Sequence, residues 1–218
     1  MNLSPIEKEI FDDLLSRRPD LASCSENILK AHQLLVECFK HHGTLFTCGN
    51  GGSYADALHI AGELVKSFER KRPLDTTLKE CIVNEYMGAE LSEYLEAGLR
   101  AIPLGMNSSL KTAIENDCPM RDIAFAQELN VLMNAGDILL TISTSGNAKN
   151  CLYAVSVARA KKGTVIAMTG PSGGLLSKYA HVCIKVPGAT TKVIQEAHQP
   201  IWHTLCAMVE AHFFPEKR

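Results

Sequence analysis

The chain has 218 residues, 46% of them hydrophobic and 21% charged. That balance excludes a disordered chain, and the length suffices to bury about 70% of the unfolded surface without a metal or disulfide. Twenty-two basic against 24 acidic residues leave a net charge of −2, which lacks the basic surplus of a nucleic-acid binder.

Ser4-Pro5 reads as a helix cap followed by proline at the first helical position, and Ile6, Ile10, Leu14 and Leu15 then recur at helical spacing. A second helix is expected over 24–41, turning Ile28, Leu34, Leu35 and Cys38 inward and ending at Gly43. The apolar run 44–48 predicts a strand, GNGGS a loop, and 54–68 an amphipathic helix. The same unit recurs as strand 137–143, loop TSGN and helix 148–161. Strand 164–169 leads through GPSGG to a short helix ending at Tyr179, and 182–186 is a fourth strand. Residues 101–104 are expected to form a fifth strand, and a long helix over 191–213 closes the pattern. Strands alternating with helices imply one parallel sheet covered on both faces. Segment 74–99 carries six acids and a helical face of Leu91, Tyr94, Leu95 and Leu99. It reads as a lid, a subunit contact or surface decoration.

The eight cysteines form no CxxC pair and no zinc-ribbon spacing, so they read as small buried hydrophobes in a reducing compartment. The first residues are acidic and lack a signal-length apolar run, and no stretch reaches the roughly 18 apolar residues of a membrane span. A cytoplasmic protein without membrane contact is expected.

Open parallel sheets bind ligands beyond the carboxyl ends of their strands. Two polar loops occupy such ends. In Gly49-Asn50-Gly51-Gly52-Ser53, glycines let backbone N–H groups approach an anion at a helix N-terminus. In Ser143-Thr144-Ser145-Gly146-Asn147, three hydroxyls can hydrogen-bond phosphate oxygens. Neither loop matches the Walker or dinucleotide patterns, and each also reads as a turn with a helix cap.

His59 and Glu63 stand four apart on one helix face, and Gln195, Gln199 and His203 follow at four-residue steps on another. Two imidazoles, a carboxylate and an amide oxygen suit a divalent metal, zinc above others. Gln195 and His203 rise about 12 Å apart on an ideal helix, so a shared ion needs long reach, a bend or ligands from two subunits. HxxxE alone also reads as a structural pair. Pro200 lies inside the last helix and is expected to remove one backbone hydrogen bond there, while His198 and Trp202 read as packing groups.

These pieces together resemble the sugar isomerase (SIS) domain family, in its phosphoheptose isomerase branch. The likeness runs from about 24 to 212, through CGNGGS at 48–53, AxxHxxxEL at 56–64, ENDC at 115–118, DILLTISTSGN at 137–147, AMTGPSGG at 167–174 and IQEAHQPIWH at 194–203. It implies a single SIS domain: a flavodoxin-like three-layer αβα sandwich on a five-stranded parallel sheet. The N-terminal helices in 1–42 would serve as an oligomer contact, and 74–99 would be an insertion. The resemblance further implies a homotetramer with sites at subunit interfaces, a small phosphosugar as ligand, and no nucleic acid. By the same resemblance Asn50, Gly51, Gly52, Ser53, Asn116 and Asp117 would contact substrate, and Ser143, Thr144 and Ser145 would cradle its phosphate. His59, Glu63, Gln195 and His203 would bind Zn²⁺, with Glu63 and Gln195 also touching sugar. Glu63 would be the base and His203 the acid of an aldose–ketose isomerisation, sedoheptulose 7-phosphate being the expected substrate.

Three departures stand out. Ala148 replaces the Ser or Thr frequent in the family, Met106-Asn107-Ser108-Ser109 stands where a DxS-like turn is usual, and 74–99 lengthens a connection. Two alternatives follow: isomerisation of a different phosphosugar, or a non-catalytic SIS tetramer that binds the replication initiator DnaA.

Overall fold

The computed structural model describes residues 3–215. Helix α1 (Pro5–Arg17) begins with a reciprocal cap: Ser4 Oγ accepts from Glu7 N, and Ser4 N donates to the Glu7 carboxylate. A 3₁₀ turn, Pro19–Cys24, leads into α2 (Ser25–Lys40). The left-handed residue that ends α2 is His42, at φ 56°, rather than Gly43. Gly43 is required for another reason: a Cβ there would lie 2.6 Å from Cys38 Sγ.

Strand β1 (Leu45–Gly49) and helix α3 (Gly52–Val65) form the first strand–loop–helix unit. Helix α3 stops three residues before the predicted end, because the next amides are taken by distant carboxylates. Ser67 N donates to Glu96, and Phe68 N and Glu69 N donate to Glu210. Segment 74–99 folds as a pair of short helices, α4 (Thr76–Val83) and α5 (Gly88–Tyr94). Of its expected apolar face only Leu99 packs on the core; Leu91, Tyr94 and Leu95 stay exposed.

Strand β2 (Ala101–Pro103) is followed by two helices that periodicity does not predict, α6 (Ser108–Asp117) and α7 (Ala124–Leu132). Strand β3 (Ile138–Ser143), α8 (Lys149–Ala160), β4 (Thr164–Thr169), α9 (Leu176–Tyr179) and β5 (Val182–Lys185) complete the alternation. Helix α10 (Thr191–Phe213) closes it.

The five strands pair in parallel in the order β2-β1-β3-β4-β5. Side chains alternate between two cores. Leu45, Leu140, Ile166 and Ile184 meet α1, α2 and α10, and Phe46, Leu139, Val165 and Ala167 meet α7 and α8. This is the expected three-layer αβα sandwich, with both sheet faces covered. Helices α1 and α2 belong to the first core and are no appendage.

Helix α10 runs unbroken through Pro200, which has no N–H for the carbonyl of Glu196. Arg18 Nη1 donates to that carbonyl at 3.3 Å. His198 and Trp202 are buried as packing groups, and all eight cysteines are free thiols, five of them buried. Among the described residues no helix is long and apolar enough to cross a membrane.

Candidate active site

Strand order reverses between β1 and β3, and that crevice is where an open α/β sheet receives its ligand. The loops after these two strands face it. Gly51 sits at φ 55°, ψ −122°, a conformation that suits glycine, and starts α3 without a side-chain cap. Ala148 likewise starts α8 without one. Helices α1, α4, α6 and α10 by contrast are capped by Ser4, Asp75, Asn107 and Thr190. Within these first turns Ser53 N and Tyr54 N bond the carbonyls of Asn50 and Gly51 and Cys151 N bonds Asn150 Oδ1, so an anion there would meet the outermost amides and the helix dipoles.

The two loops are tied together. Asn50 Nδ2 donates to Asn150 Oδ1 at 3.0 Å, and Asn150 Nδ2 donates back to Asn50 Oδ1 at 2.8 Å. The hydroxyl loop is backed by the turn after β4, where Gly146 packs against Gly173 and Leu175 N donates to Asn147 Oδ1. Ser143 is buried, Thr144 partly so, and Ser145 exposed with Oγ accepting from Asn147 N. Ser53, grouped above with the substrate contacts, is buried under the loop at 3% exposure, against Gly49. It braces the loop and is not presented to the crevice.

On α3, His59 Nε2 and Glu63 Oε1 are 2.8 Å apart. Helix α10 lays His203 edge-on to His59, with ring centroids 5.4 Å apart, and Phe68 stacks on His203 at 5.8 Å. Burial pushes the His203 pKa down, His59 adds to this, and Glu63 partly opposes it. Its imidazole is therefore neutral near pH 7. Two turns earlier on α10, the Gln195 carboxamide lies on the Gly-rich loop: a Cβ at Gly52 would be 2.8 Å from Nε2 and 2.9 Å from Oε1. Gln195 thus borders the first loop, while His59, Glu63 and His203 meet farther along α3 and α10. As zinc ligands the four suit the ion in donor type. Only His59 and Glu63 meet directly, and among the described residues no three His, Cys, Asp or Glu side chains form a metal-binding group.

A cavity of about 360 Å³ opens on the other side of the loop, bounded by Asn50, Gly51, Tyr54, Lys111, Arg121 and Asn150. It touches none of His59, Glu63, Gln195 and His203. A second cavity, of about 230 Å³, reaches His203 from α1, beside Asp13 and Arg17. Asn116 and Asp117 lie exposed at the end of α6, bonded to each other at 2.7 Å, and only their neighbour Glu115 lines the larger cavity. Sequence reasoning missed Asn150, Tyr54, Lys111 and Arg121. Asn150 had a signal, as an amide three residues past the TSGN loop in the first turn of the next helix.

Two SIS domain models match the chain, over residues 13–102 and 121–211. The phosphoheptose isomerase of Thiobacillus denitrificans is 40% identical over 182 residues, covering 82% of this chain and 80% of that protein. That of Methylibium petroleiphilum is 36% identical over 217 residues, covering 97% and 95%. Among solved structures, phosphoheptose isomerase GmhA from Neisseria gonorrhoeae aligns at 30% identity and TM-score 0.71, over 92% of this chain and 95% of that one. The Francisella tularensis phosphoheptose isomerase aligns at 29% and 0.72, over 93% and 95%.

Proposed function

The chain belongs to the SIS domain family, and from that premise we propose that it isomerises sedoheptulose 7-phosphate to D-glycero-D-manno-heptose 7-phosphate. It is a phosphosugar isomerase of the phosphoheptose isomerase type. The observation that carries the mechanism is the meeting of Glu63, His59 and His203 across α3 and α10, with Gln195 of the same α10 lying on the glycine loop at the sheet's switch point.

The reaction moves a proton from C1 of the ketose to C2 and another between the two oxygens, through an enediol. Glu63 is the base that takes the C1 proton and returns it to C2. His203, neutral as argued above, hydrogen-bonds the carbonyl oxygen and passes the proton that the oxygens exchange. Such positioned proton transfers contribute roughly 10²–10⁴-fold in rate. The N-terminal ends of α3 and α8 with Ser143, Thr144 and Ser145 hold the phosphate, and so supply orientation. Asn50, Gly51 and Gln195 contact the sugar chain, and Asn116 and Asp117 join them from the end of α6.

Zinc is part of the proposal: His59, Glu63, Gln195 and His203 would hold it, and it would polarise the substrate carbonyl. A homotetramer in the cytoplasm is the assembly and compartment proposed, with a phosphosugar as the small-molecule partner. Turnover of sedoheptulose 7-phosphate by metal-replete protein, beside a chelator-treated sample, tests the reading. Product that falls on chelation supports both parts. Product unaffected by chelation removes zinc, and no product from either sample moves the assignment to another phosphosugar.

A further inference from the structure

The second-largest side chain that is fully buried is an arginine. Arg72 is 1% exposed and Glu210 wholly buried, with Arg72 Nε donating to Glu210 Oε1 at 2.7 Å. The other two guanidinium nitrogens point back at α3: Nη1 donates to the carbonyl of Leu64 at 2.6 Å, and Nη2 to that of Glu63 at 2.7 Å.

These carbonyls would bond Ser67 N and Phe68 N if the helix continued. Both amides are engaged elsewhere, Ser67 N by Glu96 and Phe68 N by Glu210 Oε1, while Glu69 N takes Glu210 Oε2. The ion pair therefore replaces the helix's own bonds at its last turn. Both carbonyls go to the cation, Phe68 N and Glu69 N go to the anion, and Ser67 N goes to Glu96. Glu210 stands seven residues beyond His203 on α10, two turns on along the same side. The pair thus references the helix carrying Glu63 to the helix carrying His203 and Gln195.

Stability alone gives no reason for charge here, since a buried pair of this kind is often replaceable by apolar groups of equal volume. What an apolar pair lacks is direction. The planar guanidinium has its donors in a fixed fork, and three of them are committed to three separate acceptors.

We propose that Arg72 is a positioning residue for the isomerase: through the Glu63 and Leu64 carbonyls it fixes the last turn of α3, and hence the Glu63 carboxylate, against α10. This rests on the reading of Glu63 as the base.

Arg72→Lys tests it. Lysine keeps the charge opposite Glu210 but has no fork to reach both carbonyls. The expected result is a kcat about 10²-fold lower, the scale of a misplacement near 1 Å. KM should stay within about twofold, because the phosphate loops are untouched. The assay is run well below the melting temperature of each variant, measured alongside. Arg72→Met with Glu210→Met, which keeps volume and removes charge, should fold and remain similarly slow. A folded variant of either kind with wild-type kcat overturns the proposal and leaves Arg72 a structural anchor only. Glu63→Gln in the same series separates the two readings. If it turns over normally, the base assignment falls. If it is inactive while Arg72→Lys is fully active, the positioning role alone falls.

Discussion

Asn50 and Asn150 hold each other by two hydrogen bonds running in opposite directions, across the crevice between β1 and β3. Each amide both donates to and accepts from the other, so the Asn50 side chain has one orientation. Asn150 Oδ1 also accepts from Cys151 N, which roots the pair in the first turn of α8. Asn150→Ala should therefore leave the fold intact and free the Asn50 carboxamide. Losing one or two such bonds is worth about 1.4 kcal/mol, so KM should rise about tenfold with a smaller change in kcat. Steady-state kinetics on sedoheptulose 7-phosphate measures this; an unchanged KM would show that Asn50 needs no such support.

Gly52→Ala places a methyl against the Gln195 carboxamide, at distances real Cβ contacts do not adopt. Position 52 is the first residue of α3, where alanine suits the helix. Stability should change by less than about 1 kcal/mol while kcat/KM falls at least about tenfold, because Gln195 must leave the loop. Thermal melts and kinetics on one preparation give both numbers. A large loss of stability with normal kcat/KM would mean that the loop, and not Gln195, gives way.

Glu63→Gln keeps the shape of the side chain and removes its basicity. The kcat should drop roughly 10²–10⁴-fold, with phosphosugar binding retained. Binding measured by calorimetry alongside turnover separates lost chemistry from lost affinity.

His198 gives the fold an acid-side weakness. It is fully buried on α10, neither ring nitrogen has a hydrogen-bond partner of good geometry, and burial brings its pKa down to about 4, only partly offset by the nearby Thr169 backbone. Below the ordinary histidine value the unfolded chain takes a proton that the folded chain refuses. Its contribution is thus fully present above pH 6.5 and is lost as pH falls from 6.5 toward 4, by up to about 3 kcal/mol. Urea midpoints measured from pH 7.5 to 4 should show this slope. In His198→Phe the slope should flatten.

The parts of the fold legible in the sequence are those decided by local chemistry. The long apolar runs of β3 and β4 need no context, and α10 matches its predicted 191–213 because Thr190 caps it and its periodicity is strong. Helix α6 was invisible for the converse reason. It buries no residue, so it has no apolar stripe, and only the Asn107 cap marks it. Helix α3 was drawn too long because its terminator, Glu210, sits far along the chain and acts only after folding.

The site was legible to the same degree. His59 and Glu63 announce themselves by spacing, and the packing of α10 on α3 brings His203 to His59 and Gln195 to Gly52. Ser53 reads like its neighbours in GNGGS, yet it is the second residue of α3 and is buried. Asn150 was passed over because its partner, Asn50, is 100 residues away.

The Arg72–Glu210 pair also sets an order of assembly. Its two residues are 138 positions apart, and every strand of the sheet precedes α10 in the chain. A chain emerging from the ribosome can therefore complete its whole sheet, with both ligand loops formed, while Arg72 still has no anion to meet. Helix α10, which follows every strand, carries His203, Gln195 and Glu210 together. Competence for the proposed reaction is thus gained only when α10 packs on α3, and until then Glu63 stands without His203 and Gln195.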